Sequence, residues 1–289
     1  MSRAPPGRQT APMAQATTGT TGDSAPPPGP TASEALRAYV AAQHADLERD
    51  LPSLDDPEAV HRTRTRARRV RSVLGAYAAH APAAGRLRKD LRALGRTAGH
   101  LRDLDIIRDR VAEVPMATTL LDHERRGVLD DVHEEIASGR FRRMMRTLAE
   151  LGEPDAWADC PEAPMSTVAQ EVLADELERV FRRDRAAAQP GANRAVALHD
   201  VRKAAKRLRY AAEAGGPAYA DLAGRAQALQ DLLGEANDGL ATAAWLDRAA
   251  RAHPDHAHFA EHAREHWSSG HVDPASYEVL LAELRESSA

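Results

Sequence analysis

The densest chemical signal in the chain is Val60-His61-Arg62-Thr63-Arg64-Thr65-Arg66-Ala67-Arg68-Arg69-Val70-Arg71, with six arginines, one histidine and no acid. An arginine fork suits phosphate or carboxylate oxygens, and a row of forks suits a row of them. At 100° per residue on a helix, Val60, Thr63, Ala67, Val70 and Leu74 share one side and can face a core. His61, Arg64, Arg68 and Arg71 form a stripe directly beside it, and Arg62, Arg66 and Arg69 lie further round. A solvated charged face belongs opposite the core. Cations beside the core instead line a groove between helices, where anion contacts are partly desolvated and stronger. From residue 61 to 71 the stripe is about 15 Å long, too long for one phosphate and suited to a chain of them. The arrangement returns 138 residues later. Leu198, Val201, Ala205 and Leu208 take the core positions, and His199, Arg202, Lys206 and Arg209 take the stripe. Arg207 matches Arg69, and Lys203 adds a cation. Ala98-Gly99-His100-Leu101-Arg102-Asp103 likewise resembles Leu233-Gly234-Glu235-Ala236-Asn237-Asp238 at an offset of 135. Two ordered matches at nearly equal offset indicate an internal duplication.

The elements that must carry these residues are helices. Asp55-Asp56-Pro57-Glu58 opens the first basic helix, with proline in the first turn and acids near the positive helix end. It is predicted to run to about residue 79, before Pro82. Other helices are predicted from residue 33, capped by Thr31 or Ser33, and over 85–113, 117–138, 140–151, 166–187, 193–214, 218–251, 255–268 and 274–286, with breaks at proline and glycine. No strand-like alternation is present. The expected class is all-α: two similar helical bundles, pseudo-twofold related, with a basic central groove. Residues 1–32, rich in Pro, Ala and Thr, read as a disordered tail; 33–152 form the first half, 153–165 a connection and 166–286 the second half. Composition agrees. Aromatics are 4% of 289 residues, so the core must be Ala, Leu and Val. The net charge is −4, from 39 basic and 43 acidic residues, so any polyanion site is local. Only three of the basic residues are lysines. One cysteine, Cys160, excludes an internal disulfide and points to a reducing, cytoplasmic setting. No apolar run approaches the ~18 residues that span a bilayer, so no membrane partner is expected.

These motifs resemble the CHAD domain, the conserved histidine α-helical domain. Its hallmark is a His followed by cations at +3, +7, +8 and +10, in two copies, each followed by Gly-x-x-(Arg/Asn)-Asp. Here the copies are His61 with Arg64, Arg68, Arg69 and Arg71, and His199 with Arg202, Lys206, Arg207 and Arg209. The elements Gly99–Asp103 and Gly234–Asp238 follow them. The resemblance covers about residues 34–285. It implies two helical bundles whose basic central surface binds inorganic polyphosphate, association with polyphosphate granules, no catalysis and no cofactor. The site it implies is His61, Arg64, Arg68, Arg69, Arg71, Lys89, Arg92, Arg102, His199, Arg202, Lys203, Lys206, Arg207 and Arg209, with Arg88 adding charge. One departure stands out. The family often has Lys seven residues before the glycine; Arg92 keeps a cation there, but Gln227 does not. The two histidines, set among cations, are expected to be neutral hydrogen-bond donors near pH 7. Asp103 and Asp238 are expected to hold arginines or histidines in place.

Two other readings stay open. The same groove would also bind nucleic-acid phosphates, although only Tyr77 and Tyr210 lie near it for stacking. A metal-dependent phosphate enzyme is the other reading. His258, His262 and His266 repeat at i, i+4 and i+8, and His262-Ala263-Arg264-Glu265-His266 fits H-x-x-E-H. Trp157, Trp245 and Trp267 read as core or interface anchors. Nothing fixes the oligomeric state.

Overall fold

The computed structural model describes residue 1, residues 29–191 and residues 193–287, and among these every regular element is helical. Ten α-helices follow one another: α1 (Ala32–Asp50), α2 (Pro57–Ala76), α3 (Gly85–Arg110), α4 (Ala117–Ala137), α5 (Gly139–Glu150), α6 (Met165–Ala187), α7 (Arg194–Gly215), α8 (Ala220–Ala252), α9 (His258–Ser269) and α10 (Pro274–Glu286). Single 3₁₀ turns lie at Leu51–Ser53, Pro154–Trp157 and Pro217–Tyr219.

Side-chain caps set the starts of five of the ten helices, α1, α2, α5, α7 and α10. Thr31 and Glu34 form a reciprocal capping box on α1. Asp56 accepts from the amides of Glu58 and Ala59 at the start of α2, with Pro57 in the first turn. Asn193 caps α7 and Asp273 caps α10. The first basic helix ends at Ala76 rather than near residue 79. Tyr77, fully buried, leaves the helical track and donates its hydroxyl to Ala211 O at 2.8 Å. Gly216 ends α7 with φ 104°, a conformation that side chains avoid, and Pro217 follows it.

Most of the expected disordered tail lies outside the described residues. Its last three residues, Pro30–Ala32, are not tail. Met165 N donates to Pro30 O, Ala32 N donates to Ala163 O, and Ala32 begins α1, fully buried. The connection is thereby stapled to the start of the first helix.

The core is Leu, Val and Ala in three clusters. One joins the start of α1 to α6, α7, the first part of α8 and α10. The second joins α3 and α4 to the end of α8 and to α9. The third joins α1, α2, α3 and α5. At 33 residues, α8 is about 50 Å long and crosses from the first cluster to the second. The predicted halves thus share hydrophobic cores across the connection. Trp157 and Trp245 are buried as anchors, whereas Trp267 is 42% exposed and donates to Asp247.

Candidate functional site

The two basic helices, α2 and α7, pack against one another. Arg69 on α2 reaches Glu213 on α7 at 3.2 Å, and Arg207 on α7 donates to Gly75 O on α2 at 3.0 Å. The arginines divide into two populations. Those further round the helix meet carboxylates: Arg62 and Arg66 pair with Asp50 and Asp46 of α1, and Arg69 with Glu213. On α7, Arg207 pairs at 2.7 Å with Glu176, a buried acid of α6, Arg209 pairs at 2.8 Å with Glu213, and Lys203 pairs with Asp200.

Apart from Arg64 and Arg209, the stripe cations do not. Arg68, Arg71, Arg202 and Lys206 have no carboxylate within ion-pair distance among the described residues, and Arg64 has only Asp103 at 3.4 Å. The Nε atoms of Arg64, Arg88, Arg102 and Arg202 and Nδ1 of His61 are buried without a hydrogen-bond partner. Each of these four Nε–H donors costs about 1–3 kcal/mol until an acceptor arrives.

A cavity of about 420 Å³ opens beside this stripe. Arg68 and Arg71 of α2, Arg88, Lys89 and Arg92 of α3, and Lys203, Lys206 and Arg207 of α7 line it, with Tyr210 and Ser72. Arg64, Arg102, Arg202 and the two histidines lie along the helices beyond it. The cavity is one-sided. At the offset that relates Gly99 to Gly234, the counterparts of Arg88, Lys89 and Arg92 are Ala223, Gly224 and Gln227. The α3 flank carries three cations, and none of the three matching positions on α8 does; Arg225 between them turns to Asp221 and to Glu283 O of α10.

Glycines let the neighbouring helices approach the stripe. A Cβ at Gly99 would stand 3.4 Å from Arg64 Nε, and one at Gly234 would stand 3.0 Å from an Arg202 terminal nitrogen.

Electrostatics report crowding. Burial, above all, holds the guanidiniums of Arg64, Arg68, Arg71 and Arg202 below the usual arginine range. Neighbouring arginines add to this: Arg68 acts on Arg64, Arg202 on Arg68, and Arg92 and Arg88 on Arg71. All four remain cations at neutral pH, so the shifts measure desolvation first and then mutual repulsion, and an anion would relieve the repulsion. Lys206 is 8% exposed, and burial followed by Arg68, Arg202 and Arg64 pushes its ammonium down to about 6.

Both histidines fall below the ordinary imidazole range, chiefly through burial, with Arg102 next for His61. Asn237 fixes the tautomer of His199. Its amide donates to Asp238 Oδ1 at 3.3 Å, so its oxygen accepts from His199 Nδ1 at 3.0 Å. The proton of neutral His199 therefore sits on Nδ1 and leaves Nε2 as an acceptor. This revises the expectation of a neutral donor: His199 offers Nε2–H to an anion only as imidazolium. Arg102 stands where the second element has Asn237, which leaves His61 Nδ1 without that acceptor. Of the two aspartates, Asp103 holds Arg64, and Asp238 orients Asn237.

Sequence reasoning did not find the carboxylates that neutralise the remaining arginines. Glu176 and Asp50 sit on other helices than the arginines they meet, and Glu213, one turn from Arg209 on α7, also reaches Arg69 on α2; the pairings between helices are set by packing. The histidine-rich segment also spreads out: His258 faces Pro115 O at 3.2 Å and His262 pairs with Glu265. Among the described residues, no group of three or more His, Cys, Asp or Glu comes together as a metal site. Nor is any helix among them long and apolar enough to cross a membrane.

Comparison with curated proteins finds no match. Among solved structures, the chain is similar to the CHAD domain from the plant Ricinus communis, with TM-score 0.73 and 23% identity over 89% of this chain and 92% of that one. It is also similar to PptA from Streptomyces chartreusis, with TM-score 0.60 and 21% identity over 90% of this chain and 99% of that one. At such identities the likeness is one of fold. The family model for the CHAD domain matches residues 31–247, three quarters of the sequence, and the chain accordingly belongs to the CHAD domain family.

Proposed function

We propose that this chain binds inorganic polyphosphate, without turning it over, in a basic groove formed where α2 and α7 meet. The two His/Arg helices are duplicated units related by a pseudo-twofold axis, and α3 adds a third basic flank. One observation carries this reading: Arg68, Arg71, Arg88, Lys89, Arg92 and Lys206 line the cavity, and Arg202 continues the stripe, without a carboxylate within ion-pair distance among the described residues, while Arg62, Arg66 and Arg69 on the far side of α2 and Arg207 at the cavity edge are neutralised. A linear polyanion supplies acceptors at the spacing such a stripe needs. Arg64, Arg68, Arg71, Arg88, Lys89, Arg92, Arg102, Arg202 and Lys206 bear on the polymer, together with His61 and His199. Arg69 and Arg207 hold α2, α6 and α7 together, and Arg209 pairs with Glu213 on its own helix. Attachment to cytoplasmic polyphosphate granules follows from such binding.

The test is calorimetric titration with long-chain polyphosphate and with single-stranded DNA of equal charge, at 50 and 200 mM salt. Submicromolar affinity selective for polyphosphate is expected. With about six phosphate contacts it should fall by roughly 10³ across that salt range. Changing Arg64, Arg68, Arg71 and Arg202 together to Ala should abolish it. Equal binding of DNA would make the groove a general phosphate surface. Tyr210 is 5% exposed and offers no stacking platform, which disfavours DNA.

A further inference from the structure

Lysine is rare in this chain, yet Lys89, Lys203 and Lys206, the only three, all line the same cavity. They are not equivalent. Lys89 is exposed, and Lys203 is exposed and paired with Asp200. Lys206 is buried at the cavity wall and has no carboxylate within ion-pair distance among the described residues. The charges around it are Arg202 on its own helix, Arg64 and Arg68 on α2, Asp238 on α8, and the cavity cations Arg71, Arg88 and Arg92. This environment disfavours an ammonium ion. With its ionisation held down to about 6, the amine is uncharged at neutral pH and nucleophilic. A free amine thus stands in a cavity whose other walls carry the cations Arg68, Arg71, Arg88 and Arg92.

We propose that Lys206 is a modification site, at which the cavity takes up a small acyl phosphate and Nζ receives its acyl group. The Nζ lone pair attacks the carbonyl carbon and forms a C–N bond. The bond from that carbon to the bridging oxygen breaks, and its electron pair leaves on phosphate. The amine loses one proton to the departing phosphate or to water. The products are an amide and inorganic phosphate, and no redox partner is needed. Arg68, Arg71, Arg88 and Arg92 hold the phosphate and offset the charge that grows on it as it leaves. The step requires an anion-binding cavity and a free amine, not polyphosphate as the ligand.

The experiment is incubation of the intact protein with acetyl phosphate, followed by mass-spectrometric mapping of the three lysines. At pH 7 the free-amine fraction is about 90% for Lys206 and below ~0.1% for an ordinary lysine. The weaker base is also the weaker nucleophile, which reduces that lead to roughly tenfold in rate. Acetylation at Lys206 is therefore expected roughly tenfold faster than at Lys89 or Lys203, with the preference lost in urea. The preference should be larger than that given by acetylimidazole, which carries no phosphate, and R88A/R92A should reduce it. Equal rates at all three lysines, or a slower rate at Lys206, would overturn the proposal. A preference no larger than with acetylimidazole would overturn the phosphate-binding step. Because the readout is a covalent mass change, it stands whether or not polyphosphate binds.

Discussion

A buried ammonium among guanidiniums costs the folded chain stability, and Lys206 is such a group. Its ionisation moves from 10.5 to about 6 on folding, so the unfolded chain binds this proton more readily between those values. Stability from this group is fully present above about pH 10 and is lost as pH falls towards 6. Lys206→Met should remove that slope, raise stability at pH 7 by roughly 2–4 kcal/mol and weaken polyphosphate binding. Chemical denaturation at pH 6, 7.5 and 9 checks the first two effects. Arg69 and Arg68 should separate in the same way. Arg69→Met breaks a partly exposed pair with Glu213, worth about 1 kcal/mol or about 3 °C in Tm, and should leave affinity within twofold. Arg68→Ala should leave Tm nearly unchanged and cost about tenfold in affinity, the loss of one charge-assisted contact. Equal effects of both changes on binding would contradict the division between neutralised and free arginines.

At the scale of the helix, affinity depends on close approach as well as on charge. Gly234 allows α8 to pass beside Arg202. Gly234→Ala adds helix propensity of up to about 1 kcal/mol but pushes the Arg202 fork aside by a few tenths of an ångström. Thermal stability should hold or rise while affinity falls two- to fivefold; a drop in Tm would show instead that the backbone, not the side chain, yields. Helices were legible in the sequence because periodicity, caps and proline breaks are local signals. The stripe on α2 was legible because 100° per residue needs no tertiary information. The fate of Arg69 and Arg207 was not legible, since Glu213 and Glu176 meet them only through the packing of α2, α6 and α7, whereas Arg209 and Glu213 are an i,i+4 pair on α7. The same holds for the burial of Lys206, whose stripe position looks like that of Arg68 in the sequence. The one-sided cavity left a trace in Gln227, but its full extent rests on Ala223 and Gly224, residues that carry no chemical signal of their own.

For the whole molecule, a net charge of −4 means that the basic surface acts within acidic surroundings. Its field reaches about one Debye length, ~8 Å in physiological salt, so capture depends on the local groove rather than on long-range attraction. Protons should enter with the ligand. An anion stabilises the charged forms of Lys206, His61 and His199, all held low in the free protein. Binding should therefore tighten as pH falls from 8 to 6. Calorimetry in buffers of different ionisation enthalpy should record proton uptake at pH 7.5, and zero net uptake would contradict the buried, uncharged amine. The placement of the lysines has a practical side as well. Reagents that couple proteins to sensor chips, dyes or resins through amines will meet side-chain amines only at the mouth and wall of this one cavity. Immobilised that way, the protein would be fastened by the face it has to present, and a false lack of binding would follow. Attachment elsewhere on the chain keeps that face open.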